Sequence, residues 1–375
     1  MRILHVVPTY LPATRYGGPI YSIHGLARAQ AALGHQVSVI TTSADGEQDS
    51  AVAHGVPVPL DGVNVYYFRS ARLRRLYYAP AMRACLRDML ARIDFVHLHS
   101  VFLWPTNRAA RECVRAKVPY ALAPRGMLVP ALVRQRSAWL KRSWLRLVES
   151  YTLRHAAFFH ATSALEIDDA RALGVRVQAP QVIPNGIDLT PLLEPLAMAP
   201  YALFLGRINW KKRIDWLLDA LSDVPELRLV IAGPDEEALL PILQAQIQTL
   251  GLSTRVTIHA EVGGASKLAL LNNARVLVLP SISENFGNVV LEAFNQRCPV
   301  IVSAGVGLAT SVFKSQAGWV FTGRTELLAA LTEASLNPLD ARARGVRGRE
   351  LVEEQFAWPQ VAAQMVDAYQ AARAR

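Results

Sequence analysis

Two kinds of stretch alternate along this chain. Short runs of four to seven mostly apolar residues, rich in Val, Ile, Leu and Phe, suit strands buried on both faces. Between them lie longer stretches in which apolar residues recur every three or four positions, the period of an amphipathic helix. In the first half the pattern predicts strands at Ile3–Val7, Gln36–Thr41, Val63–Phe68, Phe95–Leu98, Tyr120–Ala123, Phe158–His160 and Gln181–Ile183. It predicts helices at Ile20–Leu33, Pro80–Arg92, Pro105–Arg115, Trp139–His155 and Ser163–Leu173. A second series follows, with strands at Ala202–Leu205, Arg228–Ala232, Val256–Ile258, Val276–Leu279, Val300–Val302 and Gly318–Phe321. Such alternation is that of doubly wound parallel sheets, and here it occurs twice. Between the two series, Pro184, Pro191, Pro195 and Pro200 crowd a short segment. The expected domains are therefore 1–190 and 191–357, and a last helix runs from Trp358 to about Ala372 within 358–375.

Length and composition agree with two globular cores. A chain of 375 residues is long for one core, and 51% hydrophobic with 19% charged residues excludes a disordered protein. Cys85, Cys113 and Cys298 are scattered and odd in number, so neither a disulfide framework nor a zinc cluster is expected, and a reducing compartment is. The run Met1-Arg-Ile-Leu-His-Val-Val-Pro is too short for a signal peptide, and no run of apolar residues is long enough to span a membrane. The net charge of +10 is unevenly placed: 23 Lys and Arg against 12 Asp and Glu through residue 190, then 17 against 18. Two clusters carry much of the surplus, Arg69–Tyr78 and Arg134–Arg146, in which cations are interleaved with Tyr, Trp and Leu. That mixture suits contact with an anionic membrane surface, where rings sit at headgroup depth. No helix-turn-helix, RRM or zinc signature accompanies the charge, so nucleic acid is not an expected partner.

The candidate chemistry lies in the second half. Ser281-Ile-Ser-Glu284-Asn285-Phe286-Gly287-Asn288-Val289-Val-Leu-Glu292 leaves a strand and opens a helix. Backbone N–H groups at such a helix start favour a phosphate, and two carboxylates flank it, suited to sugar and ribose hydroxyls. Upstream, Gly206-Arg207-Ile-Asn-Trp-Lys-Lys212 is a basic loop after a strand; Arg207 suits bidentate phosphate contact and Lys212 adds a point charge. Ile183-Pro-Asn185-Gly-Ile-Asp188 reads locally as a turn.

In this order and spacing these segments, with Ile231-Ala-Gly233 and the Gly17-Gly18 loop after the first strand, resemble the retaining glycosyltransferases of family 4. The resemblance covers most of the chain. It implies the GT-B fold: two Rossmann-like α/β domains facing across a cleft, an acceptor-binding domain first and a nucleotide-sugar domain second, with the final helix packed back on the first. It implies that Glu284 contacts the donor sugar, that Glu292 binds the ribose, and that Arg207 and Lys212 neutralise the diphosphate. Gly17, Gly18, Gly206, Gly233 and Asn285 to Val289 would complete the donor site, with Asn285 helping to choose the sugar. The implied reaction moves a hexose from a UDP- or GDP-sugar with retention, and the departing phosphate takes the acceptor's proton. No Asp-x-Asp motif is present, so no metal or other cofactor is expected.

On the acceptor side, His97 and His99 end a strand and are expected on opposite faces, His99 nearer the loop. Many family members carry a histidine in the segment where this chain has Arg125. An arginine is no proton acceptor at neutral pH but can hold a phosphate or carboxylate, so His99 and Arg125 are expected to line the acceptor site. The basic first half and the resemblance together suggest a lipid-linked saccharide acceptor, bacterial surface polysaccharide or lipopolysaccharide synthesis, and a cytoplasmic site peripheral to the inner membrane face. Two other classes fit a similar fold: a nucleotide-sugar epimerase, which needs no acceptor, and a non-catalytic sugar-nucleotide binding protein, expected to have lost Arg207, Lys212 or a glutamate.

Overall fold

The computed structural model describes residues 1–14, 17–135, 138–192 and 199–374. The chain divides into two compact units, Met1–Gly186 with Trp358–Arg375, and Ile187–Ala357. Both are α/β, each built on a twisted, mostly parallel sheet. The strands of the first unit are β1 (Arg2–Thr9), β2 (Gln36–Thr42), β3 (Val58–Leu60), β4 (Val63–Phe68), β5 (Phe95–His99), β6 (Tyr120–Ala123), β7 (Phe158–Ala161) and β8 (Gln181–Val182). Their spatial order is β8-β7-β6-β5-β1-β2-β4-β3. Pairing is parallel throughout except for β3, which returns antiparallel on β4 through Asp61-Gly62, both at positive φ. Two consecutive left-handed residues match the twist of a tight hairpin. That short strand interrupted by Pro59 carries too little apolar pattern to be predicted.

Alternation along each strand splits the core in two. Leu4, Val6, Val96, Leu98, Leu122 and Phe159 face one way, onto the helices Met82–Leu90 and Trp104–Ala116. Ile3, Phe95, Ala121 and Phe158 face the other way and are covered by Val361, Met365 and Tyr369 of the last helix, Trp358–Arg373. Trp358 starts that helix in a slot that two glycines leave open. A Cβ at Gly25 would lie 2.3 Å from its indole and one at Gly186 would lie 2.4 Å away. The last helix thus belongs to the first unit through shape as well as burial.

In the second unit the strands are β9 (Ala199–Leu205), β10 (Arg228–Ala232), β11 (Val256–His259), β12 (Ala274–Leu279), β13 (Val300–Ser303) and β14 (Gly318–Phe321), in the order β11-β10-β9-β12-β13-β14 and all parallel. Phe204, Ile231, Val276 and Val278 pack on one side, and Leu203, Leu205, Leu277 and Leu279 on the other. The turn 187–190 is held here. Ile187 N–H donates to Phe356 O at 2.8 Å, and Asn295 Nδ2 donates to Asp188 O at 2.9 Å. Parallel strands with both faces covered leave only their ends open to ligands.

The stretch expected as one helix over Trp139–His155 is broken. A π turn over Leu145–Glu149 separates helices Ala138–Trp144 and Ser150–His155. The wide turn carries Leu145 and Glu149 inward together. There the Glu149 carboxylate accepts from Phe102 N–H at 2.7 Å and Trp144 Nε1–H at 3.1 Å. Burial raises the pKa of this carboxyl, as expected of a desolvated acid. Of the basic clusters, Arg69 and Arg74 are paired with Asp49, while Arg136 lies outside the described residues. Among the described residues no helix is long and apolar enough to cross a membrane.

The indole slot yields a stability prediction. Trp358→Ala should cost about 3–5 kcal/mol, the range for emptying a large aromatic site. Gly25→Ala should cost about 1–3 kcal/mol by overpacking. The double variant should lose clearly less than the sum, because the indole that the new methyl strikes is gone. Urea denaturation followed by circular dichroism checks this; strict additivity would show that Gly25 and Trp358 do not share the slot.

Candidate functional site

Four loops at the carboxyl ends of β9, β10, β12 and β13 are laced together. Gly206 ends β9 at φ 147° and Gly233 ends β10 at φ 151°. A Cβ on Gly233 would lie 1.9 Å from Gly206 O, so the two loops touch only because that side chain is absent. Beyond them Ile208 N–H donates to Pro234 O at 2.8 Å and Glu236 N–H to Ile208 O at 3.1 Å. The basic loop is tied on its other flank, where Ile282 N–H donates to Lys211 O at 2.8 Å. Glu284 in turn pairs its backbone with the loop after β13, accepting from Gly307 N–H and donating to Gly305 O, both at 2.9 Å. Gly305 approaches Ile282 O closely enough that a Cβ there would sit 2.2 Å away. Phe286 is buried, and Gly287 at φ 95° starts the helix Asn288–Asn295 with no side-chain cap.

Three cations near these loops are each paired with a carboxylate. Lys212 Nζ lies 2.5 Å from Glu284 Oε2 and Lys267 Nζ lies 3.0 Å from Glu292 Oε1. Arg207 is paired with Glu236, which also accepts from Asn209 Nδ2 at 3.1 Å. Lys211 is half-buried, and burial lowers its pKa; Glu284 and Glu236 oppose that shift while Lys212 and Arg207 add to it. One ammonium therefore feels all four of these groups, which places them in a single electrostatic neighbourhood. The fold brings Gly206, Arg207, Lys212, Gly233 and Glu284 to adjoining loops. Glu292 lies within the helix on a pair of its own. Glu236, Lys211, Lys267 and the Gly305–Gly307 loop were not singled out from sequence. Only the Gly-Val-Gly of 305–307 after an apolar strand offered a signal.

In the first unit, Gly17 at φ 71° precedes the helix Gly18–Ala32, again without a side-chain cap. His97 and His99 lie on the same face, contrary to expectation. Residues two apart in a strand must do so, and their rings are 4.1 Å apart between centroids. Both are fully buried within a polar array. Arg125 Nε donates to His99 Nδ1 at 3.3 Å, and His99 Nε2 meets His5 Nδ1 at 2.9 Å. His5 Nε2 meets Gln30 Oε1 at 2.8 Å, and Gln30 Nε2 donates to the Tyr369 hydroxyl at 3.3 Å. That hydroxyl meets His97 Nδ1 at 2.7 Å, His97 Nε2 meets His160 Nδ1 at 3.1 Å, and His160 Nε2 ends the chain on Ile183 O at 2.9 Å.

The two ends fix the direction of this chain. A guanidinium only donates and a carbonyl only accepts, so each imidazole must be neutral, with its proton on Nε2. Burial is the main force lowering each pKa, for His5 from 6.5 to about 4 and for His160 to about 3, and Arg125 lowers both further. His97 and His99 are lowered well below 6.5 for the same reasons. Nitrogens of His5, His97 and His99 lie within 4.8 Å of one another, a spacing that would admit a metal ion. All six of their nitrogens already have partners, no carboxylate joins them among the described residues, and a guanidinium adjoins. The residues do not suit a cation.

Comparison with known proteins agrees across both units. Residues 17–186 match the family described as Glycosyl transferase 4-like domain, and residues 194–350 match Glycosyl transferases group 1. A glycogen synthase of Mycobacterium tuberculosis is 29% identical over 100% of this chain and 95% of its own. A GDP-mannose:cellobiosyl-diphosphopolyprenol alpha-mannosyltransferase of Xanthomonas campestris is 26% identical over 99% of this chain and 97% of its own. Among solved structures, Anabaena HepE in complex with UDP-glucose superposes with a TM-score of 0.74 at 19% identity, over 99% of this chain and 100% of that one. At that identity the likeness concerns the fold, which is GT-B.

Two predictions follow from these charges. A carboxylate sits on Arg207, so an incoming anion must displace it; Glu236→Gln should tighten pyrophosphate binding several-fold in calorimetric titration, and weaker binding would mean that Glu236 aims Arg207 instead. The second concerns pH. The four imidazoles stay neutral when folded but take protons when unfolded below about 6.5, so stability present above 6.5 is lost as pH falls towards 4. The urea midpoint should decline steadily across that window, and a midpoint unchanged from pH 7 to pH 5 would contradict neutral burial.

Proposed function

The chain belongs to the group 1 glycosyltransferases, and from that premise we propose that it moves a hexose from a UDP- or GDP-sugar to a lipid-linked saccharide, with retention at the anomeric carbon and without a metal. The observation that carries the donor assignment is the convergence of Arg207, Lys211 and Lys212 with Glu284 beside the uncapped helix at Gly287. Its chemistry answers a diphosphate flanked by a sugar. In this reading the diphosphate lies on Arg207, Lys212 and the start of helix Asn288–Asn295, with Gly206 and Gly233 giving close backbone approach. Glu284 orients the sugar and Glu292 takes the ribose.

As the glycosidic bond breaks, positive charge grows on the sugar and negative charge on the departing phosphate. Fixed cations that meet this charge lower the barrier as well as the binding energy. Binding the diphosphate frees Glu284 from Lys212, so one event releases the carboxylate towards the sugar and the ammonium towards the phosphate. The departing phosphate then takes the acceptor's proton, which requires no separate base. The first unit receives the acceptor through Arg125; His99, expected to line that site, is fully buried with both nitrogens engaged and instead holds Arg125 from behind.

For the acceptor the supports are of two kinds. The Xanthomonas relative is named for a polyprenol-diphosphate-linked substrate. On this chain Trp139, Leu140 and Leu147 are exposed beside Lys141, Arg142 and Arg146, as an interfacial helix requires. A peripheral position on the inner membrane face, serving surface polysaccharide synthesis, is consistent with both.

A panel of UDP- and GDP-sugars tests the reading by thermal shift and nucleotide release. One donor should stabilise the protein selectively, Arg207→Ala should lose that stabilisation, and EDTA should leave turnover unchanged. Stabilisation that survives Arg207→Ala, or turnover abolished by chelator, would contradict the assignment.

A further inference from the structure

We propose that Arg125 is an anion site in the first unit, taking an oxyanion of the acceptor, a phosphate or a carboxylate. The assignment of that oxyanion to an acceptor rests on the transferase reading above; the anion site itself does not. Among the described residues Arg125 has no carboxylate partner. Its polar contacts are neutral: His99 Nδ1 at 3.3 Å and Asn185 Oδ1 at 2.9 Å. Glu166, the carboxylate whose field acts on it, has its oxygens engaged by Gly126 N–H at 2.8 Å, Thr162 N–H at 2.9 Å and Thr162 Oγ1 at 3.3 Å. Arg207 and Lys212 of the second unit's basic loop each have a carboxylate partner; Arg125 has none among the described residues.

The imidazole chain keeps it so. Because donation runs one way from Arg125 to Ile183 O, no member of the chain can accept a second proton or supply a negative charge without breaking it. Burial lowers the arginine only to about 10, so it remains a cation at neutral pH. A partly buried charge left without a counter-charge is costly, and an incoming oxyanion removes that cost. With Nε and Nη1 engaged, the Nη2 edge of the planar fork is the part left to bind it.

The backbone points the same way. Arg125 has φ 56° and Gly126 φ 76° at the carboxyl end of β6, and Ser100 has φ 74° and Phe102 φ 65° just beyond β5, its neighbour in the sheet. Three non-glycine residues held left-handed at two adjoining strand ends mark a site whose shape is kept against local preference. Carboxyl ends of parallel strands are also where such folds bind ligands.

Inorganic sulfate is the probe, because its charge is constant between pH 5 and 9. Arg207→Ala, which weakens anion binding at the basic loop, serves as background, and each Arg125 variant is compared within it. Thermal shift in that background should show saturable stabilisation by sulfate. Adding Arg125→Gln should weaken it at least tenfold, and adding Arg125→Lys, which keeps the charge, by about threefold or less. The affinity should be flat from pH 5.5 to 8.5, since the imidazoles stay neutral there. Sulfate binding unchanged by Arg125→Gln, or lost as pH rises through 6.5, would overturn the proposal, the second because protonated histidine would then be the cation. Methyl phosphate against acetate separates the two oxyanion classes by which binds more tightly. If sulfate binds through Arg125 while no nucleotide sugar binds wild type, the donor reading fails and the anion site stands.

Discussion

A single hydrogen-bonded chain, pinned by a guanidinium at one end and a carbonyl at the other, joins most of the first unit. It passes through β1, β5 and β7, the helix Gly18–Ala32 and the last helix, all by side chains that would be costly to bury alone. Below it the same sheet face is apolar, with Ile3, Phe95 and Phe158 under Tyr369. Above it lie the strand ends and Arg125. Apolar packing holds the last helix, and the Tyr369 hydroxyl gives that helix a fixed register against the polar layer.

The two units treat charge in opposite ways. In the second, Arg207, Lys212 and Lys267 are each answered by a carboxylate from another segment, while backbone hydrogen bonds tie the loops together. These partly exposed pairs contribute modestly to stability. Their larger effect in the proposed mechanism is on binding, since the diphosphate exchanges with carboxylates rather than entering a bare positive pocket. In the first unit the hydrogen bonds of Arg125, at the end of β6, go to neutral groups, and the Glu166 carboxylate acts on it only through its field.

Much of this architecture was legible in the residues. Strands buried on both faces read as apolar runs, and Val63–Phe68, Tyr120–Ala123, Arg228–Ala232 and Gly318–Phe321 fall where the pattern put them. The donor loop was legible because its Arg, Lys and Glu stand in compact motifs. Glu236, Lys211 and Lys267 were not, because their meaning comes from loops that meet only after folding. The imidazole chain was illegible for the same reason: His5, Gln30, His97, His160 and Tyr369 are far apart in sequence. The placement of His97 and His99 on opposite faces was an error of period, since i and i+2 share a face. The π turn at Leu145–Glu149 carries a carboxylate inward, which helical periodicity does not register.

In the proposed mechanism the basic loop answers charge that grows on the departing phosphate, rather than gripping the donor uniformly. The nucleoside diphosphate product carries that charge in full and the sugar donor does not. Calorimetric affinities of both, for wild type and Lys212→Gln, test the claim without knowledge of the acceptor. The proposed mechanism predicts that the substitution weakens the product about tenfold more than the donor. Equal weakening of the two would mean that Lys212 only binds, and would contradict its part in catalysis.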